Sequence, residues 1–213
     1  MGRLYDATWG RAFSALYDRS LRATEEGGLR EMRRQLLARA RGRVLELGAG
    51  TGVNLELYPE AVEELVLVEP DPHMAKRLRD RLATSPRPAT LVEDSAERLP
   101  FADAGFDTAV ATLVLCTIPD PAAALREAAR VLKPGGELLF IEHVRAEQPG
   151  LAVWQDRLEK PWRFLGDGCH CNRDTIATIE ASPLTLGDWE RGKLPKSPPI
   201  VRPLVRGSAL RAA

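Results

Sequence analysis

The sequence predicts a doubly wound α/β domain on a mostly parallel sheet, and three observations carry that prediction. Short apolar runs alternate with amphipathic helical stretches between residues 43 and 144. A glycine-rich turn follows the first of these runs directly. After residue 174 the alternation gives way to two extended stretches with no helix between them. Alternation of strand and helix gives parallel strands joined by right-handed crossovers. A closing pair without an intervening helix predicts an antiparallel end to the sheet.

Residues 1–42 form a helical preface and residues 43–213 the main domain. In the preface, Trp9, Phe13, Leu16 and Tyr17 mark a first segment over residues 8–22, which Gly27-Gly28 breaks. Leu29, Met32, Leu36, Leu37 and Ala40 make the apolar stripe of a second helix, with its arginines placed on the other face. Two uses of the aromatics stay open: packing against the sheet, or a lid over a substrate pocket. Val44, Leu45 and Leu47 form a first strand, apolar on both faces as a central parallel strand requires. A short helix is expected after Gly52, stopping at Tyr58 before Pro59. Leu65, Val66, Leu67 and Val68 form the second strand, which ends in Glu69. Pro70-Asp71-Pro72 opens a helix, since proline is tolerated in a first turn, and Met74, Leu78 and Leu82 supply its buried stripe. Residues 85–88 break that helix, and Thr90, Leu91 and Val92 are the third strand. The fourth strand covers residues 106–111. A helix over residues 121–132 buries Leu125, Ala128, Ala129 and Leu132, and the turn Lys133-Pro134-Gly135-Gly136 leads into a fifth strand at residues 137–144. A short helix to Ala181 precedes the last two extended stretches, residues 184–189 and 200–205.

With 213 residues the chain fills one domain of ordinary size. Lys plus Arg and Asp plus Glu stand at 30 each, so the charge balance gives no reason to expect nucleic acid or an acidic surface as partner. No apolar run approaches the ~18 residues of a membrane span, so stable membrane insertion is not expected. The first residues show no signal-peptide core, and Asp6 breaks the myristoylation pattern. Three cysteines fit a reducing compartment better than a disulfide framework. The expected location is the cytoplasm.

The chemistry centres on Glu46-Leu47-Gly48-Ala49-Gly50-Thr51-Gly52. Glycines let the backbone adopt left-handed angles and let a ligand approach where a Cβ would collide. Glu69, at the tip of the next strand and about 20 residues further on, is placed to accept hydrogen bonds from a ribose. A nucleoside ligand follows. The loop spacing is GxGxG, however, and the dinucleotide fingerprint is GxGxxG. Glu46 would repel a pyrophosphate but attract an ammonium or sulfonium.

These residues closely resemble the first motif of class I S-adenosylmethionine-dependent methyltransferases. Asp94-Ser95-Ala96, Phe106-Asp107 and Leu132-Lys133-Pro134-Gly135-Gly136 extend the resemblance to the type 11 group of that family, over residues 43–144. The resemblance implies a Rossmann-like seven-stranded sheet whose last strand is antiparallel. It implies S-adenosylmethionine as cofactor, S-adenosylhomocysteine as product and a small molecule as methyl acceptor. Glu142-His143-Val144 and Gly166-Asp167-Gly168-Cys169 look like the thiol-methylating branch of methyltransferase-like proteins. Membrane-seated relatives in that branch carry an N-terminal hydrophobic anchor, a pattern not found here.

On this reading Glu69 and the adjoining Pro70 face the ribose, and Asp94 accepts from the adenine amine with Ser95 and Ala96 reading the ring. A helix-capping role for Asp94 is the rival. Met74 and Leu99 wall the adenine or belong to the core. Glu46 works through the methionine end, while Thr51 and Asn54 line the loop or cap the helix after it. A pocket at the carboxyl ends of strands four and five places Thr112, Leu113, Cys116 and Thr117 beside the donor, with His143 opposite as candidate general base. Cys169-His170-Cys171 invites a zinc site, but structural zinc sites separate cysteines by two to four residues and use four ligands. No matching pair stands elsewhere in the sequence, so no metal is expected. A small apolar thiol is the expected acceptor. A hydroxyl, an amine and a lipid-like or quinone acceptor remain alternatives, as do an NAD-dependent reductase and a non-catalytic cofactor-binding protein.

Overall fold

In the computed structural model, which describes residues 9–213, the apolar runs become the strands of one sheet. They are β1 (Gly42–Leu47), β2 (Val62–Val68), β3 (Thr90–Val92), β4 (Phe106–Thr112), β5 (Leu132–His143), β6 (Leu184–Lys193) and β7 (Pro203–Arg211). Their spatial order is β3-β2-β1-β4-β5-β7-β6. The first five run parallel, β1 lying between β2 and β4. β7 lies antiparallel to both β5 and β6. The order reverses direction at β1 and β4, and their carboxyl ends form the crevice where ligands of such sheets bind.

The helices are α1 (Arg11–Thr24), α2 (Arg30–Leu37), α3 (Pro72–Leu82), α4 (Pro121–Val131), α5 (Pro149–Leu165) and α6 (Thr175–Glu180). Leu125 and Ala128 of α4 and Ile176 and Ile179 of α6 pack with Leu45, Val66, Phe106 and Phe140 on one face of the sheet. Leu36 and Leu37 of α2 and Leu78 of α3 pack with Val44, Leu67, Val110 and Leu139 on the other. Each fully buried aliphatic side chain of this kind contributes about 1.5–3 kcal/mol relative to exposure. Two caps begin their helices as the sequence requires. Asp71 accepts from the N–H groups of His73 and Met74, and Asp120 accepts from that of Ala123, with proline in each first turn.

Four elements differ from the sequence reading. The segment after Gly52 makes only a 3₁₀ turn, Leu55–Leu57, because Tyr58 is already extended before Pro59. β5 starts at Leu132 and runs through the glycine turn, so the paired stretch is longer than residues 137–144. The last strand is shifted: Pro199–Val201 is a 3₁₀ turn, and β7 begins at Pro203 and continues to Arg211. α5 was not expected at all. Its interior Pro161 looks like a helix break in sequence, yet Gln155 on its inner face anchors it. The Gln155 amide accepts from Ala146 N–H (2.7 Å), and its nitrogen lies 3.0 Å from the Val144 carbonyl and 2.8 Å from those of Cys171 and Ile200. α1 and α2 are joined through a π turn, Glu25–Leu29, kinked at Gly28 with φ 134°.

Candidate active site

The glycine loop leaves β1 in the conformation that its sequence demands. Gly48 and Gly50 have φ 59° and 57°; a Cβ on Gly48 would sit 2.1 Å from Val114 Cγ2, whereas one on Gly50 would meet nothing within 4 Å. Gly48 therefore serves packing, and Gly50 presents bare backbone to open space. The Gly50 N–H donates to Glu69 Oε2 at 2.7 Å, and the Asp71 N–H donates to Glu69 Oε1 at 2.9 Å. Glu69 stands at the strand tip, yet it is buried, at 6% exposure. Burial pushes its carboxyl up to about 7, against the pull of the two N–H donors. Pro70 beside it is exposed and Met74 is buried. Asp94 accepts from Ser95 N–H at 2.8 Å, and Ser95 in turn bonds Glu97. Residues 94–100 form turns with no helix, which removes the capping role for Asp94. Ala96 is buried there, and so is Leu99.

Beneath the loop lies a buried polar network. Glu46 accepts from Asn54 Nδ2 and from the Tyr58 hydroxyl, each at 2.7 Å. Burial holds its carboxyl above the usual range while these two bonds pull it back. Both of its oxygens are thus taken by protein groups. Asn54 makes no helix cap; it also donates to Thr112 Oγ1 at 2.9 Å and accepts from Arg33 at 3.1 Å. Arg33, only 2% exposed, further donates to Thr112 Oγ1 at 2.7 Å and pairs with Glu25 at 3.1 Å. The sequence reading placed the α2 arginines on the solvent face. Arg33 stands four residues from both Leu29 and Leu37, on the apolar stripe itself, and that spacing was the available signal.

α1 lies over the loop. Thr51 Oγ1 donates to Asp18 Oδ1 at 2.6 Å, and Asp18 Oδ2 pairs with Arg81 of α3 at 2.8 Å. Trp9 stacks on Phe164 of α5 with ring centroids 6.0 Å apart, and Phe13 meets Tyr17 at 5.5 Å. Leu16 is exposed, and none of the four belongs to either core cluster. Trp9 therefore reaches the end of α5, while Phe13 and Tyr17 pair with each other.

The other end of the crevice is built from the turn after β4, the end of β5 and the loop after α5. Leu113 takes a left-handed φ of 57°, and its N–H donates to the Ile141 carbonyl at 2.7 Å. That twist turns the N–H groups of Val114 and Leu115 onto Glu142 Oε1, at 2.9 and 3.0 Å. Glu142 is fully buried, and burial pushes its carboxyl up to about 8. Cys116, His143 and Cys169 converge beyond it. His143 Nε2 lies 2.9 Å from Cys169 Sγ, so one ring nitrogen of the candidate base is engaged by a protein thiol. Cys116 is held well below the ordinary thiol range, chiefly because Cys169 donates to it, with His143 adding to this against the cost of burial. Burial pushes His143 down, but the adjoining Cys116 outweighs it and holds the imidazole above its usual range. The stretch from Gly166 to Asn172 is tied into the fold: Cys169 and Cys171 are buried, and His170 N–H donates to the Cys116 carbonyl at 2.9 Å.

Residues 45–140 match the family described as "Methyltransferase domain". The thiol S-methyltransferase TMT1B of Rattus norvegicus is 37% identical over 172 residues, 79% of this chain and 70% of the relative. The chain belongs to the class I S-adenosylmethionine-dependent methyltransferases. Thiol S-methyltransferase TMT1A of Homo sapiens is 33% identical to this methyltransferase over the same shares of the two chains. The phosphatidylethanolamine N-methyltransferase of Cereibacter sphaeroides is 32% identical, over 71% of this chain and 75% of the relative. Among solved structures, N-methyltransferase NodS from Bradyrhizobium japonicum WM9, in complex with S-adenosyl-L-homocysteine, superposes with a TM-score of 0.63 at 18% identity, covering 86% of this chain and 87% of that one. The [4+2]-cyclase SpnF gives 0.69 at 20% identity, covering 88% and 81%. The fold thus carries more than one chemistry, and it is the sequence relatives that make this chain a methyltransferase. Among the described residues, no helix is long and apolar enough to cross a membrane.

Proposed function

We propose that S-adenosylmethionine lies across the carboxyl ends of β1, β2 and β3 and that the acceptor is a small thiol held at the ends of β4 and β5. The observation that carries the donor half is Gly50, whose bare backbone faces open space beside the buried carboxylate of Glu69. Glu69 would take the ribose hydroxyls and Asp94 the adenine amine. The donor sulfonium would then point past Thr112 and Leu113 toward Cys116. Methyl transfer from a sulfonium is an in-line displacement, so orientation does most of the catalytic work. Glu46 acts at one remove: its bonds to Asn54 and Tyr58 fix the floor of the loop under the methionine end. S-adenosylhomocysteine is the product.

The thiol half is supported by the thiol-methylating relatives and by the shortage of base machinery. A thiol of pKa about 8.5 already holds a few per cent thiolate at neutral pH and is intrinsically nucleophilic. The proton of such an acceptor can go to solvent, since His143 Nε2 is already engaged by Cys169. α1 acts as the lid, latched to the loop by Asp18. Three free cysteines support a reducing compartment, which we take to be the cytoplasm. A second reading, transfer to a lipid amine, draws on the phosphatidylethanolamine-methylating relative.

The test is a matched set of thiol, alcohol and amine acceptors, with release of S-adenosylhomocysteine as the readout. The thiol should be methylated at a rate at least tenfold above the others. Transfer to the amine or alcohol with none to the thiol overturns the acceptor half. Displacement of S-adenosylhomocysteine by NADH at comparable affinity overturns the donor half.

A further inference from the structure

Cys116, His143 and Cys169 come from three separate elements, and their sulfur and imidazole nitrogen atoms all lie within 4.8 Å of one another. All three side chains are buried. Neither cysteine is in a disulfide. The second imidazole nitrogen, His143 Nδ1, is buried without a hydrogen-bond partner, an arrangement that ordinary packing avoids. Two thiols and an imidazole at this spacing form a donor set. Thiolate and imidazole together select zinc-like cations over magnesium or calcium, which prefer oxygen. Bonds of about 2.0–2.3 Å to a tetrahedral ion space its ligand atoms roughly 3.5–3.8 Å apart, within the span of this cluster, and His143 Nε2 and Cys169 Sγ, 2.9 Å apart, would open slightly to admit it.

Charge and surroundings agree with such an occupant. Two thiolates neutralise a divalent ion, so the filled centre adds no net charge to a buried site. Trp162 Nε1 donates to Cys169 Sγ at 3.2 Å, the kind of outer hydrogen bond that orients a ligating sulfur. His170 N–H on the Cys116 carbonyl and Gln155 on the Cys171 carbonyl fix the loop that carries Cys169.

We propose that Cys116, His143 and Cys169 bind a zinc-class divalent cation and leave its fourth position to the sulfur of the methyl acceptor. Three protein ligands with one open position is the arrangement of catalytic zinc sites. The role in catalysis rests on the thiol reading given above; the cation site itself does not. The acceptor thiol loses its proton to solvent as its sulfur binds the ion. A sulfur lone pair then forms the new bond to the donor methyl carbon. The carbon–sulfonium bond breaks with its electron pair staying on the donor sulfur, and the neutral thioether and S-adenosylhomocysteine leave. The ion keeps its oxidation state throughout.

The experiment uses the full chain, stripped of metal under reducing conditions and titrated with Co²⁺ alone. One equivalent should produce a thiolate-to-cobalt charge-transfer band that Zn²⁺ then abolishes. The band should be lost in Cys116→Ser and Cys169→Ser and kept in Cys171→Ser, whose sulfur bonds the Gln155 carbonyl oxygen instead. Thermal melts establish that each variant is folded, and His143→Cys, which retains a donor, should keep the band. No band in the parent, or a band unchanged in the folded Cys116 and Cys169 variants, overturns the site. Adding a small thiol should shift the cobalt spectrum; a band that no thiol moves overturns the open fourth position. Undiminished thiol methylation by the stripped enzyme overturns the catalytic role but spares the thiol reading. Cobalt binding without any thiol methylation defeats that reading and leaves the cation site standing.

Discussion

The donor end of the crevice is made of neighbours in sequence, and the acceptor end is made of strangers. Gly48, Gly50 and Glu69 fall within about 20 residues and act largely through backbone N–H groups. Cys116, His143 and Cys169 belong to three elements and act through side chains alone. The donor end can stay constant because every reaction of this kind uses one donor. The acceptor end changes with each acceptor, and side chains brought together from distant segments can be exchanged without disturbing the loop.

The largest expected effect comes from a charged residue that lies under both ends. Arg33 touches Asn54 beneath the loop and Thr112 at the start of the acceptor wall. Arg33→Met leaves the buried Asn54 and the partly buried Glu25 without their cation, a loss of up to about 3–5 kcal/mol. Urea denaturation should show that loss; a change under about 1 kcal/mol would mean the two ends are built independently.

Glu69→Ala separates the ends more gently. Donor affinity should fall about 10- to 100-fold, because hydrogen bonds to a charged group contribute about 1.5–3 kcal/mol. The Gly50 and Asp71 N–H groups also lose their acceptor, so folding stability should fall as well. The pH dependence has two opposite signs. Glu69 rises from an ordinary 4.5 to about 7 on folding, so its stabilising contribution is complete below 4.5 and disappears as pH rises through about 7. Ribose hydroxyls, in contrast, donate to the ionised form. Calorimetric titration with S-adenosylhomocysteine should show affinity falling as pH drops below about 7, by up to about tenfold per unit. Glu69→Gln should be flat across the same range, and a parallel slope in that variant would reject the ribose role.

Asp18→Ala should have the smallest effect. Its ion pair with Arg81 is partly exposed, so stability should change by less than about 1 kcal/mol. Stopped-flow dissociation of S-adenosylhomocysteine should nonetheless quicken severalfold, since the lid loses its latch on Thr51. An unchanged rate would show that α1 does not cover the donor.

The parallel body of the sheet and its antiparallel finish were legible because apolar runs, prolines and glycines fix elements locally. Glu69 was legible as a position but not as an environment: its burial comes from the Gly50 and Asp71 backbone folding over it. Arg33 was misplaced because charge was weighed above helical spacing. α5 was missed because Pro161 resembles a break, and the bonds of Gln155 to three distant carbonyls leave no local trace. The Cys169-His170-Cys171 run was weighed for zinc against sequence neighbours, whereas the partners of Cys169 lie across the fold at Cys116 and His143.

The kink at Gly28 divides the N-terminal helices into two mechanical units. α2 is fastened by Leu29, Leu36 and Leu37, all buried in the core. α1 buries Ser14 and Thr24 but places no residue in either core cluster; Asp18 ties it to Thr51 and Arg81, and Trp9, just ahead of it, stacks on Phe164. Because no continuous helical ladder crosses the π turn, the amides of α1 can lose their protection by local opening while those of α2 exchange only with the whole domain. Hydrogen exchange would therefore divide one apparently unbroken helical stretch into a fast segment and a slow one, with the boundary at Gly28.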